Sequence, residues 1–312
     1  MTEPVPAAEP VPAAEQAAAE QAVTDEVLAS FAAAGSARTR QLMEALVRHA
    51  HAFVREVRLT EPEWAAGIAF LTRCGQISDE RRQEFILLSD VLGLSMLTIG
   101  VNQPVPAGAT EATVFGPFFV EGSPEIAIGG DIAQGAPGRP CWVSGTVRDP
   151  GGRAVPGARI DVWEADEAGR YDTQYGDDRI AGRAHLFTGA DGGYGFWGVM
   201  PTPYPIPHDG PVGDLLTAAG RGPMRPAHLH FMVTAGGFRR LVTHIFVRGD
   251  AYQGSDAVFG VKESLVVDFV THPAGTPAPG GRPVPGTWSS AAFDIVLAPT
   301  AADRTPTGEH HE

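Results

Sequence analysis

From residue 24 to about residue 102, apolar side chains return every three or four positions. Leu42, Leu46, Ala50, Phe53 and Val57 fall on one stripe of a helix. Thr60-Glu61-Pro62-Glu63 has the spacing of a capping box, with proline in the first turn, where a missing N–H is tolerated. Ser78 is placed to cap a further helix whose Phe85, Leu88, Leu92 and Ile99 would share a face. Three or four such helices carry more apolar surface than they can bury among themselves. They are expected to pack on each other and on a second subunit.

After about residue 104 the period shortens to two, and glycine and proline become dense. Residues 142–147 and 158–163 alternate on either side of Asp149-Pro150-Gly151-Gly152. Residues 183–188 and 193–197 flank Ala190-Asp191-Gly192, and residues 228–234 and 241–247 flank Gly236-Gly237. Short, evenly spaced strands of this kind predict a β-sandwich or barrel. The expected fold class is α+β, with a helical domain over 23–104 followed by a β-sandwich domain over 105–303. Residues 1–22 repeat Glu-Pro-Val-Pro-Ala-Ala and then turn Ala/Glu/Gln-rich, which predicts a disordered tail. Residues 304–312 form a second tail, in which the adjacent His310 and His311 are not expected to be ligands.

The chain has 312 residues, and its 43% hydrophobic and 19% charged content is that of an ordinary globular protein. A formal net charge of -14 argues against a nucleic-acid partner. Cys74 and Cys141 are far apart and form no metal or disulfide motif, which suits a reduced, cytoplasmic setting. No basic region followed by an apolar core opens the chain, and no apolar run approaches membrane-spanning length. Neither secretion nor membrane insertion is expected.

The most informative chemistry lies in Arg225-Pro226-Ala227-His228-Leu229-His230-Phe231. Strand side chains alternate faces, so His228 and His230 point one way while Leu229 and Phe231 point into a core. Two imidazoles on one rigid face are half of a metal site. A zinc hydrolase would need a third histidine or a carboxylate, yet acidic residues are scarce around this strand. Tyrosines stand out instead. Tyr171 follows Gly169-Arg170, and Tyr204 sits in the stiff loop Met200-Pro201-Thr202-Pro203-Tyr204-Pro205. Tyr175 shares a loop with Tyr171 and could take its place on spacing alone. Phenolate is a hard, strongly donating anion, so two phenolates with two imidazoles favour a ferric ion. A phenol ordinarily titrates near 10, and a tripositive ion would lower that enough to ionise it.

With these residues in view, the chain resembles the intradiol catechol dioxygenase family, and its hydroxyquinol-cleaving members most closely. The resemblance rests on Asp161-Val162-Trp163-Glu164-Ala165 leading to Gly169-Arg170-Tyr171, on Pro203-Tyr204-Pro205 and on the histidine strand. Ala112-Thr113-Val114-Phe115-Gly116-Pro117-Phe118, Leu241-Val242-Thr243-His244-Ile245-Phe246-Val247 and Ser255-Asp256-Ala257-Val258-Phe259-Gly260-Val261-Lys262 add to it. It is dense over residues 85–269 and looser in the helical region.

The resemblance implies a helical dimerisation domain before a β-sandwich that holds one mononuclear non-haem Fe(III), bound by Tyr171, Tyr204, His228 and His230. It implies that the aromatic diol binds as a dianion in place of a hydroxide and of Tyr204, and that the released groups take up the substrate protons. Ring opening by O2 to a muconate then needs no external reductant. Arg225 would stabilise carbanion character in the ring, and His244 would support the centre from the next strand. Family contact positions fall on Leu87, Asp90, Val114, Phe115, Gly116 and Pro117, and on Phe118, Ile206, Pro207, Arg225 and Val258. Asp90 is informative on its own terms. A carboxylate within Ile86-Leu87-Leu88-Ser89-Asp90-Val91-Leu92 is costly unless paired, and a third hydroxyl on the substrate would satisfy it. That points to hydroxyquinol (benzene-1,2,4-triol) rather than catechol or a chlorocatechol. The resemblance also implies a homodimer with phospholipid at its helical interface. A non-catalytic transthyretin-like sandwich and a zinc hydrolase are the rivals from other classes, and neither would absorb visible light.

Overall fold

The computed structural model describes residues 12–79, 82–103 and 106–300. The first Pro/Ala repeat and the pair His310 and His311 lie outside the described residues. The chain divides into two compact units, Met1–Thr72 and Arg73–Glu312.

The first unit is helical. Helix α1 (Ala13–Ser30) begins inside the segment expected to be a disordered tail, which is a correction to that expectation. The reason is composition: after Pro12 the chain is rich in alanine, glutamate and glutamine, all strong helix formers. Side chains one turn apart add support, with Gln16 donating to Glu20 at 3.2 Å and Gln21 to Asp25 at 2.8 Å. Helix α2 (Ala37–Val57) starts at Ser36, whose hydroxyl accepts from the Thr39 N–H at 3.0 Å. It packs on α1 around the buried Thr24, whose hydroxyl accepts from Arg55 at 2.8 Å and bonds the His51 ring at 3.0 Å. Helix α3 (Glu61–Ile77) opens with the expected capping box, since the Glu63 carboxylate accepts from the Thr60 N–H at 2.9 Å. The apolar stripe of α2 is exposed, with Leu46 at 61% and Phe53 at 55% of full accessibility.

In the second unit, Ser78 does not cap a new helix. Its hydroxyl donates back to the Cys74 carbonyl at 2.7 Å and closes the end of α3. Two short helices follow, α4 (Glu84–Val91) and α5 (Leu94–Asn102), bent by 77° about Gly93. The bend splits the expected stripe: Phe85 and Leu92 are exposed, while Ile99 packs against the sheet core. Helix α4 is tied to helix α6 (Pro211–Ala218), because the buried Glu84 accepts from the Val212 N–H at 3.0 Å. Hence α4 and α5 go with the strands, and the division falls earlier than the change of composition near residue 105. No single described helix is long and apolar enough to cross a membrane; α4 and α5 meet that test only as a bent pair.

Two five-stranded sheets enclose the core. One runs in the order β3 (Arg183–Phe187), β2 (Arg159–Trp163), β7 (His228–Thr234), β8 (Leu241–Val247) and β9 (Val266–Val267). The other is built on β1 (Pro140–Arg148), which pairs antiparallel with β4 (Gly193–Val199). On its other edge β1 meets β11 (Trp288–Ala292) and β12 (Ile295–Val296) in parallel, and β10 (Val270–His272) extends that side. Ile160, Leu229, Phe231, Val233 and Ile245 meet Val143, Phe196 and Ile295 in the core. The turn at Ala190-Asp191-Gly192 exists, yet β3 and β4 do not pair across it. The chain uses that turn to cross from one sheet to the other, as sandwiches do. A small ribbon of β5 (Tyr204–Pro205) and β6 (Met224–Arg225) sets Tyr204 directly opposite Arg225.

Candidate metal centre

The register of the first sheet assembles the site. Trp163 pairs with His230, and His230 with His244, so three rings from β2, β7 and β8 line one row on the face away from the core. His230 stacks on Trp163 with centroids 4.7 Å apart and lies 4.1 Å from the His244 ring. One strand position earlier on that face, the His228 ring stands 4.9 Å from His230. The ribbon brings Tyr204 to the same point, where its hydroxyl donates to His228 Nε2 at 3.0 Å. Tyr171 arrives from the turn after β2, its hydroxyl 2.9 Å from that of Tyr204. The four residues expected to be ligands therefore converge, although they come from three separate parts of the chain.

Two glycines make this approach possible. Gly169 has φ +76°, and a β-carbon there would lie 2.5 Å from Cβ of Tyr204. Gly116 has φ +77°, and its β-carbon would lie 3.0 Å from Cε1 of His230. Both positions combine a left-handed backbone with close packing, a pair of demands that only glycine meets without strain. Tyr175 is turned elsewhere and donates to Asp166 at 3.0 Å, which separates it from Tyr171.

Second contacts fix the orientation of the donors. His228 Nδ1–H donates to the Pro226 carbonyl at 2.6 Å. A carbonyl can only accept, so Nε2 is the bare nitrogen turned toward the tyrosines. His244 Nδ1 is engaged by the Thr113 hydroxyl, leaving its Nε2 inward. Arg225 donates through Nη1 to His228 Nε2 at 3.0 Å and through Nε to Asp256 at 3.2 Å. Asp256 accepts in turn from the Gly260 N–H at 2.8 Å. Asp256, Trp163 and Thr113 were not singled out by sequence reasoning as site residues. Their signal was adjacency, since each lies inside a motif already quoted for another residue.

Electrostatics follow from burial. Burial, with Arg225 or a neighbouring imidazole adding to it, holds His228, His230 and His244 well below the ordinary histidine range. The shift favours the neutral imidazole, the form in which His228 and His230 could bind a metal. Burial raises the Tyr171 phenol well above its usual value, and the neighbouring Tyr204 raises it further. Burial also raises Tyr204, opposed by the charge of Arg225. A cation set among these groups is what would reverse the shift of the phenols. Both nitrogens of His230, Nε2 of His244 and Nη2 of Arg225 are buried with no hydrogen-bond partner among the described residues. The facing nitrogens of His228, His230 and His244 lie within 4.8 Å of one another. Orphaned donors and acceptors at one point, two phenols and neutral imidazoles fit a bound, hard, highly charged metal ion.

Several residues expected to contact substrate lie beside these groups. Phe118 stacks on Tyr171 at 4.4 Å, and Phe115 leans on Trp163 at 5.8 Å. Val114 is buried and Pro117 exposed in the same loop. Leu87 and Asp90 share the buried face of α4. Burial raises Asp90 above the usual carboxylate range, opposed by a hydrogen bond from Ser95 and by the charge of Arg225. The Val258 N–H donates to Asp256 at 3.3 Å. Ile206 and Pro207 continue from β5, with Ile206 buried and Pro207 half-buried.

Comparison with known proteins agrees. A family model described as "Dioxygenase" matches residues 114–299, and one described as "Catechol dioxygenase N terminus" matches residues 36–110. Hydroxyquinol 1,2-dioxygenase of Nocardioides simplex is 65% identical over 284 residues, covering 91% of this chain and 97% of the relative. Its counterpart in Rhodococcus opacus is 61% identical over 286 residues, or 91% and 95% of the two chains. The structure of hydroxyquinol 1,2-dioxygenase from Pseudomonas putida DLL-E4 superposes with a TM-score of 0.86 at 46% identity, covering 91% of this chain and all of that one. The chain belongs to the intradiol, catechol-type dioxygenase family.

Proposed function

We propose that this enzyme opens the ring of hydroxyquinol with O2 at a single non-haem Fe(III), giving 3-hydroxy-cis,cis-muconate, the tautomer of maleylacetate. The convergence of Tyr171, Tyr204, His228 and His230 on one buried point carries this reading. Those four residues would hold the iron. When bound, the ferric ion supplies the Lewis acidity that makes a coordinated aromatic diol reactive toward oxygen.

The chain's own groups do the rest. Tyr204 Oη, ionised where it would hold the metal, would receive a proton from an incoming hydroxyl, which needs no separate base. Its cross-strand partner Arg225, held charged by Asp256 despite burial, places a fixed cation beside the ring. His244 presents Nε2 inward, with Thr113 holding the ring from behind. Leu87, Val114, Phe115, Gly116, Pro117, Phe118, Ile206, Pro207 and Val258 form the apolar walls that keep water from the reacting ring. Asp90 accepts from the third hydroxyl, and its burial makes that hydrogen bond selective. The high identity to enzymes named for hydroxyquinol supports this choice over catechol or chlorocatechol.

In this reading residues 23–104 serve dimerisation, except that α4 also lends Leu87 and Asp90 to the pocket, and residues 105–303 serve catalysis. The exposed Leu42, Leu46, Phe53 and Val57 of α2 support a homodimer. A cavity of about 440 Å³ lined by Val23, Val54 and Leu59 beside His51, Arg55, Arg58 and the Glu20 that pairs with Arg58 suits a phospholipid, whose phosphate would meet Arg55 and compete with Glu20 for Arg58. Two buried free thiols are consistent with a reducing cytoplasm.

Oxygen uptake with hydroxyquinol, catechol and chlorocatechols, together with product spectra, tests the reading. The holoenzyme is expected to be burgundy and to favour hydroxyquinol, with the preference reduced at least ten-fold in Asp90→Ala. An unchanged kcat/KM ratio in that variant removes Asp90 from specificity, and a colourless iron-loaded protein removes the tyrosinate centre. Light scattering should give the mass of two chains; the mass of one would contradict the dimer.

A further inference from the structure

Arg221 lies in the turn between α6 and β6, outside every motif discussed so far. Among the described residues its guanidinium pairs with no carboxylate. It donates instead through Nη1 to the carbonyl of Val91 at 2.5 Å and through Nη2 to the carbonyl of Ala257 at 3.0 Å. Its flat face lies 4.7 Å from the centre of the Phe259 ring. Val91 is the last residue of α4, the helix that carries Leu87 and Asp90. Ala257 belongs to the loop that carries Asp256 and Val258. A rigid, forked donor thus ties the end of α4 to the 256–260 loop, the two segments that carry Asp90 and Val258.

Phe259 is unusual in its own right. It has φ +58°, a left-handed backbone that a bulky residue adopts only when its surroundings impose it. It is 52% exposed, so core packing does not impose it. Arg221 holds its ring on one side. On the other lies Gly93 at the α4–α5 bend, where a β-carbon would come within 3.5 Å of the ring. The same turn delivers the Gly260 N–H to Asp256 at 2.8 Å, and Asp256 orients Arg225. Strain is therefore held at the one loop that sets both the Val258 wall and the aim of Arg225.

We propose that Arg221 and Phe259 form a clasp that fixes the width of the cleft between α4 and the 256–260 loop, and that this width selects a trihydroxylated ring over a dihydroxylated one. Arg221 is a positioning residue: it touches neither substrate nor metal ligands and acts through Asp90, Val258 and Arg225. With the clasp closed, Asp90 sits at hydrogen-bond reach of a ring hydroxyl and Arg225 stays beside the ring. With it open, α4 drifts from the loop, and the third hydroxyl loses its partner while the diol pair keeps its anchorage. The inference rests on the pocket assigned under the proposed function.

The test compares iron-loaded wild type, Arg221→Ala, Arg221→Lys, Phe259→Gly and Asp90→Ala. Three quantities are measured: kcat and KM for hydroxyquinol and catechol, the tyrosinate-to-iron absorption band, and the dissociation constant of hydroxyquinol titrated anaerobically through that band. Arg221→Ala is expected to raise KM and the dissociation constant for hydroxyquinol about ten-fold, the worth of a hydrogen bond to a charged group, with kcat changed less than about two-fold. The hydroxyquinol-to-catechol ratio falls by the same factor, and the band of the substrate-free enzyme does not move. Arg221→Lys, which keeps one carbonyl contact, recovers part of the loss. Phe259→Gly accepts the left-handed backbone but lacks the ring, so it lowers the ratio without lowering the melting temperature; it also decides the matter should Arg221→Ala fail to fold. An unchanged ratio in the folded clasp variants overturns the proposal, as does a kcat loss accompanied by a shifted band, which would mean damage to the metal centre. If Asp90→Ala alters the ratio while the clasp variants do not, the pocket reading stands and the clasp falls. If the clasp variants alter it and Asp90→Ala does not, selection through Asp90 falls and the clasp stands only as a control of the Val258 wall.

Discussion

Gly116→Ala separates two costs that the centre places on one residue. The first is backbone: at φ +77° an alanine pays the left-handed penalty, roughly 1–2 kcal/mol. For a unit of this size that lowers the melting temperature by about 2–8 °C. The second is local. The new methyl would stand 3.0 Å from Cε1 of His230, closer than an ordinary contact. His230 has little room to retreat, with Trp163 stacked at 4.7 Å and His244 at 4.1 Å. The imidazole must tilt, and iron affinity should fall roughly ten-fold, as it does when a ligand loses its orienting neighbours. Gly152→Ala is the control. Gly152 has φ +82° and open space where its β-carbon would sit, so it bears the backbone cost alone. Melting curves and iron content after dialysis against a graded chelator measure both effects. The two variants should lose similar thermal stability, while only Gly116→Ala loses iron. Equal iron retention in the two would refute the claim that Gly116 is there to make room for His230.

Two further outcomes are expected. Tyr171→Phe should weaken the visible band to the share owed to Tyr204 while Tyr175→Phe leaves it intact, because Tyr175 donates to Asp166 rather than facing the centre; weakening in Tyr175→Phe alone would reverse the assignment. Glu164 is pushed up to about 8 by burial, although its carboxylate accepts from the Val199 N–H at 2.8 Å. The folded protein thus keeps a proton that the unfolded chain releases near 4.3, so the contribution of Glu164 to stability is fully present below that pH and is lost as pH rises toward about 8. In melting curves from pH 5 to 8, Glu164→Gln should decline less steeply than wild type, and parallel slopes would count against a protonated Glu164.

Much of the site was legible in the chain because its chemistry is local. His228 and His230 needed only the two-residue period of a strand to share a face, and Leu229 and Phe231 needed only the same rule to enter the core. The Thr60–Glu63 cap depended on a single helical turn and formed as read. Ser78 was misjudged because a hydroxyl can serve the end of one helix as readily as the start of the next. The tail was misjudged because proline-rich repetition masked the alanine- and glutamate-rich stretch behind it.

Other matters were decided only by tertiary structure. Spacing alone left Tyr171 and Tyr175 interchangeable and only the Gly169-Arg170-Tyr171 match favoured Tyr171; the tertiary structure brings the Tyr171 ring to Tyr204 and the Tyr175 ring to Asp166. The crossing of β3 and β4 into different sheets, and the alignment of Trp163, His230 and His244 across three strands, depended on pairing register. Arg225, Asp256, Asp90 and Arg221 met only when α4, the ribbon and the 256–260 loop were brought together. The pattern along a chain encodes faces and periods, which short-range sterics settle. Which faces meet, and at what distance, is settled by packing among residues from tens to more than a hundred positions apart, and no local pattern records it.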